Sequence, residues 1–336
     1  AGAAYIGVAA LPHAVGRIRG QAALVLSQLP RFDPTFAALS FLWSGWLLGR
    51  EGVRAAERLL GQRLPGELRY LRALHAALAA LGPAMAPEGR VALVFQAPAT
   101  RYLENLLAVA GTTGWQVAHA WHGVLDDRPG PAFTPRRAEH HVVLGRMSPP
   151  GQPLGDPVAR AGPLAERTAV AALHARAEPA AFAVLHGPIW MAVSRAGLFA
   201  GTANPVQAEN RRRRLGVAIQ QALAASSLLR ALPAGDSEAV VWWLVEEPAA
   251  APLADRVEAE VREALVTSPA IDEAALVRWV MDRLGGGTVP SWPLLRACLR
   301  AYGTRLPAGT WTLGPEDRPE AMQERRQQIR AWLQEM

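Results

Sequence analysis

Residues 87–123 read PEGRVALVFQAPATRYLENLLAVAGTTGWQVAHAWHG, and the fold class turns on this stretch. A glycine turn feeds an apolar run from Val91 to Phe95, short and rich in branched residues, as a buried strand is. The spacing of apolar residues in TRYLENLLAVAG, 100–111, predicts an amphipathic helix with Thr100 as its N-cap. The segment TGWQVAHAWHGV gives the next strand, and HHVVLGR a further one around His141 to Leu144. Strand, helix, strand and a hairpin-like return specify an α/β unit.

Upstream, QAALVLSQLP at 21–30 reads as a short buried strand ending in a turn at Pro30. Helical spacing follows from Phe36 to Leu60, and Glu67 to Leu81 is the clearest helix, stopped by Gly82 and Pro83. The α/β unit is therefore expected to occupy 1–146. The Pro- and Gly-dense segment MSPPGQPLGDP predicts a linker over 147–163. Beyond it the pattern is helical over 164–177, 180–197, 204–231, 252–268, 271–285, 291–303 and 317–335. The β-rich exception is VVWWLVEE at 240–247. Two further modules are expected, a winged-helix-like one over 164–248 and a helical one over 249–336. No internal repeat with a period of about 20 to 50 residues is evident.

Composition narrows the function classes. A chain of 336 residues, 50% hydrophobic, buries a sizeable core and divides into two or three domains. The longest apolar stretch, Phe36 to Leu48, is too short and too interrupted to cross a bilayer, which takes about 20 apolar residues. The first twenty residues lack the basic flank and apolar run of a secretory signal, and the missing initiator Met suggests a fragment or a processed product. The single cysteine, Cys298, excludes an intrachain disulfide framework and a cysteine-based zinc cluster, and points to the cytoplasm. All 35 basic side chains are arginine, and the net charge is +6. A planar guanidinium fork suits phosphate, so the balance favours a nucleic-acid partner.

Three stretches, in order, resemble the long bacterial adenine-specific DNA methyltransferases associated with phage defence. The first is LVLSQLPRFDPTFAALSFLWSGWLLGR at 24–50, where the family has a strand ending in D/N-P-P-Y and then an aromatic-rich helix. Leu39, Ser40, Phe41 and Trp46 match that helix. The second is 87–123, in which Gly114, Trp115, Val117 and Trp121 match the family's late strand, helix and strand. The third is VVWWLVEEPAAAPLADRVEAEVREAL with WTLGPEDRPEAMQERRQQIRAWL, similar to the helical region that follows the catalytic domain. The resemblance implies a partial Rossmann-like methyltransferase sheet followed by mainly helical, winged-helix-like modules.

The departures bear on activity. In the family, the first Asp or Asn and the adjacent proline carbonyl hold the adenine amino group, and the Tyr stacks on the flipped base. At the matching positions stand Gln28, Leu29, Pro30 and Arg31. Glutamine retains an amide oxygen, but its longer side chain displaces that acceptor by more than the roughly 1 Å that positioning tolerates. Phe32 offers a replacement ring, with Arg31 intervening. The resemblance also implies a glycine-rich S-adenosylmethionine turn upstream, and residues 1–27 contain none. The segment LFAGTANPVQAENRRRRLGVAI at 198–219 lacks the second glycine of such a turn and has no acidic residue after Val217. No cofactor-binding residue is assigned.

Other candidates are weaker. Arg211 to Arg214 lie on an expected helix, and four successive arginines point around most of its circumference. They read either as a solvated basic turn or as nucleic-acid contacts, and Arg136 and Arg137 are alike in this. His119, His122, His140 and His141, with Asp126 and Asp127, lack a metal-ligand spacing, so no metal site is expected. The eleven tryptophans read as core, and no G-x-S-x-G elbow is present. The expectation is a catalytically degenerate, methyltransferase-like subunit that binds DNA or RNA, or other protein subunits, without spanning a membrane. Its rivals are an active S-adenosylmethionine-dependent enzyme whose cofactor motif lies in another segment or chain, and an architectural scaffold.

Overall fold

The alternation of strand and helix around residues 87–123 builds a mixed four-stranded sheet with helices in the computed structural model, which describes residues 20–28, 67–97, 101–124, 138–146, 155–202, 204–234, 240–285, 289–314, 326–331 and 333. The sheet is formed by β1 (Ala22–Gln28), β2 (Met85–Ala97), β3 (Trp115–Val124) and β4 (Ala138–Arg146), in the order β1-β2-β4-β3. Strands β1 and β2 are parallel, with Val25 opposite Val91 and Gln28 opposite Val94. The connection between them includes α1 (Glu67–Ala84), and α2 (Arg101–Thr112) carries the chain from β2 to β3. The return of β4 beside β3 is the expected one.

Periodicity explains the packing. Leu71, Leu74, Leu78 and Leu81 of α1 recur at helical spacing and are all buried, as are Leu103, Leu106 and Leu107 of α2. Val91, Leu93 and Phe95 alternate along β2 and are at most 3% exposed. Trp115 is fully buried, and its indole N–H donates to the Leu78 carbonyl at 3.0 Å, so the one polar atom of that ring is satisfied. At the end of α2 the Thr112 and Thr113 hydroxyls donate to the Val109 and Ala110 carbonyls. Gly114, at φ +79°, then makes the turn into β3.

Gly82 and Pro83 do not stop α1, which continues to Ala84. A Cβ at Gly82 would lie 2.6 Å from Arg146 Nη1, the far end of a flexible side chain that can move aside. The guanidinium of Arg146 sits over the Trp115 ring, 5.4 Å from its centroid.

Eight further elements follow: α3 (Pro157–Arg176), α4 (Phe182–Arg195), α5 (Pro205–Ala224), β5 (Leu229–Pro233), β6 (Val240–Leu244), α6 (Leu253–Thr267), α7 (Glu273–Leu284) and α8 (Trp292–Tyr302), then the short pair β7 (Gly303–Arg305) and β8 (Trp311–Leu313). Residues 157–163, expected as linker, open α3, where Asp156 accepts a hydrogen bond from the Val158 N–H. Residues 229–231 continue no helix. After Ala224 the Ser226 hydroxyl accepts from the Leu228 N–H, and the chain turns into β5, which pairs antiparallel with β6.

The helical region contains one arrangement twice in chain order. Helix α3 is followed by a single bridging residue, Ala180, then α4, α5 and the β5–β6 hairpin. The Ala180 N–H and C=O exchange hydrogen bonds with the C=O and N–H of Trp242 in β6. Helix α6 is likewise followed by a bridging residue, Ile271, then α7, α8 and the β7–β8 hairpin, and Ile271 exchanges the same reciprocal pair with Trp311 in β8. The hairpins share sequence as well, with L-P-A-G at 232–235 and 306–309 and W-x-L at 242–244 and 311–313. Side-chain caps recur, with Asn204 on α5, Asp272 on α7 and Ser291 on α8. The second copy has its own core of Leu253, Val257, Val261, Leu276, Val280, Leu295 and Leu299. The chain divides into two compact, interleaved units, Ala1–Ala120 with His140–Gly162 and Trp190–Ile219, and Trp121–Glu139 with Pro163–Ile189 and Gln220–Met336. No helix among the described residues is long and apolar enough to cross a membrane.

Candidate nucleic-acid interface

Helix α5 carries the arginine run, and its burial pattern sorts the four side chains. Ala208, Leu215, Ile219 and Leu223 are at most 2% exposed and recur at helical spacing. Arg212 falls on this same inward stripe and is 9% exposed. A buried guanidinium requires partners, and two carboxylates supply them. Arg212 Nη1 donates to Glu104 Oε2 on α2, while its Nε and Nη2 donate to the two oxygens of Glu209 at 2.7 and 2.8 Å. Burial alone would lower the Arg212 pKa, but Glu209 and Glu104 together hold it above its ordinary value. The Arg212 hydrogen bond, with Arg213 adding to it, holds the Glu209 carboxyl below its ordinary value against the opposing effect of burial.

The other three arginines differ among themselves. Arg211 is half-buried and donates to the Ala200 carbonyl in the turn before α5. Arg213 is exposed and donates to Glu209 at 2.8 Å. Arg214 is exposed and has no hydrogen-bond or ion-pair partner among the described residues. Charge bookkeeping decides what this surface offers, because Glu104 and Glu209 cancel Arg212 and Arg213, and only Arg211 and Arg214 remain uncompensated.

The outward face of the same helix is polar in a particular way. Gln207, Asn210, Arg214, Val217 and Gln221 are exposed and lie opposite the buried stripe. Val217 is 54% exposed in an otherwise hydrophilic row, and Glu209 is the only carboxylate that α5 contains.

The other sequence-derived sites distribute as follows. Gln28 ends β1, whereas Leu29, Pro30 and Arg31, like Phe32 and the 36–60 helical stretch, lie outside the described residues, as do Arg136, Arg137, Asp126 and Asp127. His140 is buried and stacks on Phe95 with ring centroids 5.0 Å apart, which is a core role. Among the described residues no group of three or more His, Cys, Asp or Glu side chains is placed to hold a metal ion. Residues 198–202 form a turn between α4 and α5 in which Leu198 and Phe199 are buried.

No family model, no curated protein and no solved structure matches the chain.

Sequence reasoning missed the Glu104–Arg212–Glu209 cluster. The signal was present: Ala208, Leu215, Ile219 and Leu223 place position 212 on the core stripe, and Glu104 is a lone carboxylate among the apolar residues of LENLLAVAG.

Proposed function

We propose that the chain is a catalytically degenerate, methyltransferase-like subunit that binds nucleic acid through its helical region. The observation that carries this is the placement of Gln28 at the carboxyl end of β1, in parallel register with β2. In open α/β sheets, ligands gather outside the carboxyl ends of parallel strands, where the resembling enzymes have their tetrapeptide. The strand end suited to chemistry therefore carries Gln28, and the sequence reads on as Leu29-Pro30-Arg31, in place of the residues that hold a flipped adenine. Two further features support the reading. A strand–helix–strand crossover with a last strand inserted between its predecessors suits the later half of a Rossmann-like sheet. The repeated order of helix, bridge, helix, helix and hairpin suits winged-helix modules, whose third helix and hairpin are the usual nucleic-acid contacts.

Titration calorimetry of the chain with S-adenosylmethionine tests the loss of chemistry, and micromolar binding would overturn it. Mobility-shift assays at about 50 and 200 mM salt test the binding half, since phosphate contacts lose affinity as salt rises. Because Arg211 and Arg214 are the uncompensated arginines of the run, the expected salt slope for this helix is about two phosphates, at roughly −0.9 per phosphate.

One observation favours a second reading, an active enzyme completed by another segment or chain. Leu24 and Leu26 of β1 are 62% and 72% exposed, and β1 is an edge of the sheet. Parallel strands are ordinarily covered on both faces, so these leucines suit a surface that further polypeptide covers. Methyl transfer to duplex DNA by the assembly isolated from its source organism would establish this second reading and refute the first.

A further inference from the structure

We propose that the outward face of α5 reads base edges in the major groove of duplex DNA, with Asn210 and Arg214 as its base contacts. The inference rests on the nucleic-acid reading above and goes beyond it by separating sequence readout from phosphate attraction. Asn210, Arg214, Val217 and Gln221 lie in one exposed row, opposite the buried stripe of Ala208, Arg212, Leu215 and Ile219. These side-chain types match the groove chemistry. Asn and Gln pair bidentately with adenine, Arg with guanine, and an exposed aliphatic group with the thymine methyl. From Asn210 to Val217 the helix rises about 10 Å, roughly three base-pair steps.

The face is also complementary in charge. The single carboxylate of α5, Glu209, is occupied by Arg212 and Arg213, so the outer row presents Arg214 with no opposing acid on its helix. Arg213 is 70% exposed at the margin of the row and is held by Glu209 through its Nε, so its outer Nη groups suit a phosphate despite the pairing. The helix is held in one setting about its axis by Arg212 on Glu104 and Arg211 on the Ala200 carbonyl, which is what base readout requires. The corresponding helix of the second repeat lacks this character. On α8 the exposed side chains are Arg296 and Arg300, with Arg296 3.6 Å from Glu273 and over the ring of the partly buried Trp292, and no amide side chain is present. Duplex RNA is disfavoured because its deep, narrow major groove does not admit a helix.

The test uses the full chain and a pool of DNA duplexes with a randomised core, carried through rounds of selection, followed by fluorescence anisotropy on the selected duplex and a scrambled one. The expected result is a preferred site, with Asn210→Ala and Arg214→Ala each reducing the selected-to-scrambled ratio roughly tenfold or more. Arg213→Ala should weaken both duplexes alike. Both altered residues are exposed, and a circular dichroism melt checks that each variant folds. Binding without a preferred site, a preference unaffected by Asn210→Ala and Arg214→Ala, or a preference for duplex RNA overturns the inference while leaving nucleic-acid binding intact. Absence of binding to any nucleic acid at low salt overturns both.

Discussion

Replacing Arg212 by Met keeps the aliphatic stem but removes the charge that Glu104 and Glu209 share. Breaking a buried ion pair by removing one partner costs about 3–5 kcal/mol, because a buried charge loses its countercharge. The two carboxylates do not contribute equally. The Glu209 side chain is 22% exposed and keeps Arg213, whereas the Glu104 side chain is 11% exposed and loses the Arg212 guanidinium. With Glu209 still paired to Arg213, the lower end, about 3 kcal/mol, is expected. For a cooperative unit of this size that corresponds to a fall of roughly 6–12 °C in Tm. Differential scanning calorimetry of Arg212→Met beside Arg214→Ala measures it, and the exposed substitution should stay within about 0.5 kcal/mol of wild type. The double variant Arg212→Met with Glu104→Gln also removes the charge of one buried carboxylate and should recover part of the loss. If Arg212→Met lowered Tm no more than Arg214→Ala, the claim that this arginine is a structural ion would be wrong.

Acid should weaken the same cluster. Because the folded-state pKa of Glu209 lies below its ordinary value of 4.5, its contribution to stability is present above that value and is lost as pH falls through the folded pKa. Tm measured between pH 7 and 3 should show that loss, with a shallower decline in Arg212→Met. Burial, with Glu258 adding to it, pushes the Cys298 thiol up to about 12. The native chain at pH 8 should not react with Ellman's reagent, and the guanidinium-unfolded chain should react fully; rapid native labelling would contradict the buried site. Ala177, just past the end of α3, has φ +53°, a conformation that costs a non-glycine residue energy. Ala177→Gly should raise stability by about 0.5–1 kcal/mol in urea denaturation, and a loss would show that the helix end is held some other way.

The α/β character was legible because its signals are long. Val91 to Phe95 alternates along a strand, and the segment 101–112 is rich enough in apolar residues to mark a helix, although the structure buries 103–111 on every side, Glu104 and Asn105 included, rather than on one face. Where the reading failed, a local pattern met a tertiary demand. Gly82 and Pro83 looked like a stop, yet α1 includes both and ends at Ala84. Leu228, Leu229 and Leu232 continued the apolar spacing of α5, yet the pairing of β5 with β6 takes that segment into a strand. Strands β7 and β8 have three residues each, too few to show any period. The two-fold recurrence of helix, bridge, helix, helix and hairpin escaped because its spacing exceeds that of short solenoid repeats and only L-P-A-G and W-x-L survive as letters. At the interface, the arginine run was visible as composition, but its division into core and surface depended on Glu104, more than a hundred positions away.

The buried guanidinium of Arg212 also acts as an angular index for α5. Each residue turns an α-helix by 100°, so inserting or deleting a single residue between Asn204 and Arg212 would force a choice. Either Arg212 keeps its grip on Glu104 and the N-terminal turn is remade, or the helix rotates and a different arginine meets the carboxylates while the outward row changes identity. Four consecutive arginines make the second outcome chemically easy, since Arg211 or Arg213 would satisfy Glu104 as well. A single-residue change in this turn could therefore leave a stable helix that displays a new set of side chains, so the run that fixes the phase of α5 also offers neighbouring phases to drift into.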